Sequence, residues 1–228
     1  MALHPNGINH LAISTRDMKG QIEFFTDVLG AELKALYWMH GVPNTWHGFL
    51  ELSPSCYIAF VQAPGNAEDI QLGVTHAGNA GGPVTRGTMQ HLAMNVDTLD
   101  DLYALRDRLR SRGVLVMGPI DHGMCQSIYF AGPEGLALEI THGGAIDERA
   151  WIDPEVQELA GISDEELARY VTPAEYARPE QPVPQPGLDT GMPLPAYPEK
   201  VLQRIATTPD EAFWHSVEHE PPVTVEPR

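Results

Sequence analysis

Cysteine is scarce in this chain: Cys56 and Cys125 are too few for a disulfide framework and are not spaced as a zinc pair. They read as packed thiols in a reducing compartment. Basic residues are also few, 14 Lys and Arg against 31 Asp and Glu, a net charge of −17 over 228 residues. That surplus repels phosphate backbones and anionic lipid alike, so nucleic acid is not an expected partner. No apolar run approaches the roughly 18 residues of a membrane span, and MALHPNGINH lacks the basic and apolar regions of a signal peptide. The expected address is the cytoplasm, with no membrane partner. What is present, 43% hydrophobic and 20% charged residues, is the composition of an ordinary globule with a sizeable core.

Charge and proline are unevenly distributed. Residues 1–143 hold 14 acidic and 8 basic residues and 7 prolines, whereas 144–228 hold 17 acidic and 6 basic residues and 13 prolines. The shift predicts a compact domain over 1–143 followed by an acidic, proline-rich, partly helical extension over 144–228. Within the extension, PEVQELAG and SDEELARYV read as short helices and PEQPVPQPG as an extended polyproline-like segment.

An internal repeat organises the first domain. HLA occurs in INHLAIST and again in MQHLAMNVD, placing His10 and His91 81 residues apart. After the first copy, MKGQIEFFTDVLG carries Ile22, Phe25 and Leu29 at helical spacing and stops at Gly30. After the second, LDDLYALRDRLRSRG carries Leu99, Leu102, Leu105 and Leu109 and stops at Gly113. Strand-like runs follow each helix: ELKALYWM, HGFLEL and CYIAFVQA, then VLVMGPI, QSIYFA and LALEITH. The pattern predicts an α+β fold of two βαβββ modules, about 7–63 and 89–143, joined by a linker over 64–88. A module whose helix covers one sheet face must bury or curl the other, so the pair is expected to enclose a single metal-containing cleft. A linker of this length in a compact domain is usually functional or mobile.

Strand alternation locates the chemistry. His10, Ala12 and Ser14 share one face of the first strand, and His91, Ala93 and Asn95 share the matching face of its repeat. In GLALEITHG that face is Ala137, Glu139 and Thr141. Each strand thus presents one strong ligand among small residues. His10, His91 and Glu139 make a 2-His-1-carboxylate set, which suits Fe(II) with open positions, Mn, Ni or Zn being the alternative divalent metals. A Glu within an apolar strand is costly to bury unless paired or metal-bound.

The two modules with HLAI and HLAM resemble the vicinal oxygen chelate superfamily, which includes glyoxalase I, antibiotic-resistance binding proteins and type I extradiol ring-cleavage dioxygenases. Within the resemblance, DHGMCQSIYFAGPEGLALE is similar to the extradiol signature through His122, Ile128, Tyr129, Pro133, Gly135 and Glu139, with Gly132 as a departure before the proline. It implies Glu139 as a metal ligand and His122 and Tyr129 as catalytic groups that hydrogen-bond the diol or the oxygen. If the hairpin loop is centred near Glu134, Tyr129 lies opposite Glu139. Extradiol enzymes usually carry an acid/base His on the last strand of the first module. SPSCYIAF has none there; Tyr57 stands near that position, and His47 and His76 lie elsewhere in the module and the linker.

The expected activity is therefore an Fe(II)-dependent extradiol-type dioxygenase of aromatic compound catabolism, a homo-oligomer acting on a small aromatic diol and O2. A glyoxalase-like lyase or isomerase is the alternative, although the second carboxylate typical of that class is replaced by Ala59 and Phe60. A non-catalytic binding protein typically lacks the ligands this chain retains. HSVEH, with His215, Glu218 and His219, fits an inverted zinc-protease pattern, but too few residues follow to supply the third ligand, and it reads instead as a solvated terminal helix.

Overall fold

The computed structural model describes residues 3–225. Its first strand, β1 (His10–Ser14), is followed by α1 (Met18–Glu23), whose start is capped by the Asp17 carboxylate accepting from the Gly20 amide. The helix continues as a π-helical turn over Phe24–Leu29 and stops at Gly30, which has a left-handed φ of 89°. Strands β2 (Glu32–Trp38), β3 (Trp46–Ser53) and β4 (Cys56–Gln62) complete the module. The second module repeats the order with β5 (Leu92–Asn95), α2 (Leu99–Ser111), β6 (Met117–Asp121), β7 (Cys125–Ala131) and β8 (Ala137–Gly143). Thr98 caps α2 by accepting from the Asp101 amide, a contact worth about 1 kcal/mol.

The sheets have the same topology, β1-β4-β3-β2 and β5-β8-β7-β6, with the first and last strands of each module parallel. This is the expected α+β architecture of paired βαβββ modules. Met18, Phe25, Leu50, Ile58 and Phe60 of the first module join Leu102, Leu109, Ile128, Leu138 and Ile140 of the second in one hydrophobic cluster. The alternation explains why. Leu11 and Ile13, and Leu92 and Met94, turn toward that core while His10 and His91 turn away.

Polar contacts join the modules. The Glu134 carboxylate, in the β7–β8 turn, accepts from the Thr15 hydroxyl, from the Arg16 amide at 2.8 Å and from the Gln21 side chain at 2.7 Å. Burial pushes its pKa up, but these hydrogen bonds outweigh burial and hold it below the ordinary carboxylate value. The Arg108 guanidinium, on α2, donates to the carbonyls of Val28 at 2.8 Å and Asp27 at 3.2 Å, satisfying the end of the π-turn.

The chain divides into two compact units. One holds Pro5–Met39 and Asn44–Thr172, and so carries both modules together with the start of the acidic extension. The other holds the chain start to His4, His40–Pro43 and the stretch from Pro173 onward. In the extension the expected helices are α4 (Pro154–Leu159) and α5 (Asp164–Val171), the latter opened by a Ser163–Glu166 capping box. Three further helices, α3 (Glu148–Trp151), α6 (Glu199–Thr207) and α7 (Asp210–Trp214), carry no strong sequence signal. Helix α7 ends before His215, so HSVEH is not helical, in contrast to the terminal helix expected there. Among the described residues no helix is long and apolar enough to cross a membrane.

Candidate metal and substrate site

The second module assembles most of the expected site. Ala93 pairs with Glu139 across β5 and β8, so His91, two residues before Ala93, shares the Glu139 face. Glu139 is only 5% exposed, and its Oε2 lies 2.9 Å from His91 Nε2. A carboxylate this buried demands such a partner. An imidazole nitrogen and a carboxylate oxygen this close together are two donors of the kind a divalent cation takes.

Strand β7 lays Tyr129 directly across from Glu139, in a register centred on Glu134. The Tyr129 hydroxyl and His122 Nε2 are hydrogen-bonded at 2.9 Å, and the Tyr129 and His91 rings lie 6.4 Å apart edge to face. Burial raises the Tyr129 phenol above its ordinary pKa against an opposing hydrogen bond with Ser127, and the charge of Glu139 pushes the same way as burial. The extension reaches this edge as well: a Cβ on Gly123, next to His122, would lie 3.1 Å from the Trp151 ring.

His10 stands in different company. Its ring lies 5.4 Å from Phe49 and 6.5 Å from His47, and Tyr37 and Tyr57 extend the same aromatic face. Among the described residues no three His, Cys, Asp or Glu side chains group closely enough to hold a cation. The structure thus joins His91 to Glu139 and His122 to Tyr129, and places His10 with the aromatic wall of the first sheet.

Three residues escaped the sequence reading. His47 lies on β3, off the last strand of the module as expected, but it shares the His10 face, as alternation of His47, Phe49 and Glu51 along β3 would have indicated. It is 7% exposed, its Nε2 has no hydrogen-bond partner, and burial, aided by the charge of His10, lowers its pKa. Asn9 and Gln90 are the others, each a carboxamide immediately before a repeated histidine. Asn9 Oδ1 lies 2.9 Å from His10 Nδ1, and Gln90 Oε1 contacts His91 Nδ1.

Residues 7–140, more than half of the chain, match the model of the Glyoxalase/Bleomycin resistance protein/Dioxygenase superfamily. The chain belongs to this superfamily. A relative within reach of sequence comparison is biphenyl-2,3-diol 1,2-dioxygenase 2 of Rhodococcus globerulus, 27% identical over 133 residues that cover 58% of this chain and 60% of that protein. The match therefore spans about three fifths of the relative's length. A superfamily domain from Frankia sp. EAN1pec has the same fold, with a TM-score of 0.50 and 19% identity over 62% of this chain and 100% of that one. The fosfomycin resistance protein of Listeria monocytogenes is more distant, at a TM-score of 0.43 and 16% identity over 64% of this chain and 98% of that one.

Proposed function

We propose that this chain is an oxidoreductase that opens the ring of a small catechol-like diol with O2, using a divalent metal, Fe(II) in the first instance, with His10, His91 and Glu139 as ligands. The observation that carries the reading is the buried Glu139 paired with His91, with Tyr129 directly across the strand and hydrogen-bonded to His122. The extradiol-like signature from His122 to Glu139 and the likeness to a biphenyl-diol dioxygenase support it.

A 2-His-1-carboxylate centre supplies open coordination positions and the redox chemistry that dioxygenation requires. The chain's own residues do the rest. A phenol is neutral at pH 7 in any case, and burial moves Tyr129 further from ionisation, so it meets the diol as a neutral hydrogen-bonding group. His122 orients that hydroxyl. Tyr129 thereby acts on the reacting oxygens as a positioned donor. The lyase alternative requires a first-module carboxylate, and the position related by register to Glu139 is Ala59.

The test is anaerobic metal analysis followed by oxygen uptake with a catechol panel that includes biphenyl-2,3-diol. Oxygen consumed in step with diol loss is the expected result. Iron-loaded protein that consumes no oxygen with any catechol, yet isomerises or eliminates from a chelating substrate without air, replaces the dioxygenase reading with the lyase one.

A further inference from the structure

Both histidines of the repeat are preceded by a carboxamide, and in both cases that carboxamide contacts Nδ1 of the ring. The Gln90 amide has its orientation imposed from outside. Its Nε2 donates to the carbonyls of Asn79 and Gly82, each at 3.2 Å, in the linker between the modules. The atom left facing His91 Nδ1 is then the Gln90 oxygen, an acceptor. An acceptor at that place requires the proton on Nδ1, and Nε2, 2.9 Å from Glu139 Oε2, is then the ring nitrogen left to serve a cation beside the carboxylate. Asn9 Oδ1 makes the same contact with His10 Nδ1 at 2.9 Å, in a more exposed setting.

We propose that Gln90 and Asn9 are positioning residues that hold the Nδ1 protons of His91 and His10 and so present both Nε2 atoms as metal donors, with the linker acting on His91 through Gln90. The inference rests on the metal reading above. It also assigns the linker a role: the backbone at 79 and 82 determines which way the Gln90 amide faces. Bonds of this kind to the second nitrogen of a ligating histidine are typically worth 10–100-fold in metal affinity.

Gln90→Leu and Gln90→Glu in the full chain separate this role from simple anchoring of the linker. Leucine removes both the acceptor and the linker donors; glutamate keeps an acceptor for Nδ1 but loses the donors. Ring-nitrogen NMR of metal-free protein at one neutral pH should show His91 Nδ1 protonated in the wild type and in Gln90→Glu and unprotonated in Gln90→Leu, with the His47 signals unmoved as a check on folding. Zinc(II) affinity, measured by competition with a chelator, should fall about 10–100-fold in Gln90→Leu and stay within about threefold of wild type in Gln90→Glu. Asn9→Leu should produce the same nitrogen change at His10 with a smaller loss of affinity, because water competes for an exposed hydrogen bond. A protonated Nδ1 in Gln90→Leu, or equal weakening by leucine and glutamate, overturns the proposal. Wild-type protein that takes up no zinc overturns the metal reading instead, while the metal-free spectra still decide where the proton sits.

Discussion

The two modules share one strand topology, and the pairing registers let them be compared position by position. Ala12 faces Ala59 in the first module where Ala93 faces Glu139 in the second. Ala59 in turn faces Phe49 where Glu139 faces Tyr129, and Val61 faces His47 where Thr141 faces Ser127. Each module thus has a histidine at the head of its first strand, but only the second carries a carboxylate and a phenol at these matched positions. The first lines the equivalent positions with methyl and phenyl groups. Duplicated backbone has been divided between a polar, charge-bearing face and an aromatic wall. The division lies in a few side chains and not in the fold.

The comparison can be broken at Glu139. Glu139→Gln removes the charge that pairs with His91, and metal content after anaerobic loading should fall close to zero, whereas Phe49→Tyr should leave it unchanged. Exchanging the phenol tests the same asymmetry at the level of turnover. Tyr129→Phe copies the first-module residue and should cost about 10²-fold in kcat with metal retained, the usual scale for one positioned donor in a desolvated site. Phe49→Tyr should alter kcat by about twofold or less.

Smaller effects concern the bond between the modules and the odd histidine of the first. The Glu134 pKa is depressed on folding, so its stabilisation is complete above the ordinary carboxylate range near ~4.3 and is lost as pH falls through the folded value. Glu134→Gln should lower stability at pH 7 by about 1–2 kcal/mol and flatten the acid limb of a melting-temperature profile. His47 is depressed for a different reason, burial of a ring that is easier to keep neutral. Its contribution is present above about pH 6.5 and is lost as pH falls below that toward the folded value, because the unfolded chain takes up the proton first. His47→Phe should therefore lose less melting temperature than wild type between pH 7 and pH 5.

Much of the skeleton was legible because alternation and helical spacing leave strong traces. The faces of β1, β5 and β8 and the Tyr129–Glu139 register all follow from residue order. The details that were hidden depend on contacts between distant residues. Ile22, Phe25 and Leu29 are spaced as in an α-helix, and nothing local announces the π-turn that ends with the Ala31 amide reaching Phe25 O. VLVMGPI reads as a strand from Val114, yet its first residues are diverted when the Val114 amide closes the end of α2 by donating to Leu109 O, so β6 begins at Met117. In the candidate site, the three strand positions were readable one at a time. The aromatic surroundings of His10 were not, because His47 and Phe49 reach it from β3, across β4, and Tyr37 of β2 packs on those two rings. The carboxamides before His10 and His91 were visible in the repeat, but their meaning required the linker carbonyls.

Gly30 and Arg108 illustrate how a fold links the fates of distant positions. A Cβ added at residue 30 would lie 2.8 Å from the Arg108 guanidinium, and the backbone there has a left-handed φ of 89°. Replacing Gly30 alone should therefore be penalised twice, by backbone strain and by displacement of the arginine from the carbonyls it serves. Once Arg108 has been replaced by a shorter side chain, only the first penalty remains. The cost of a substitution at residue 30 is thus conditional on residue 108, which makes the two an epistatic pair.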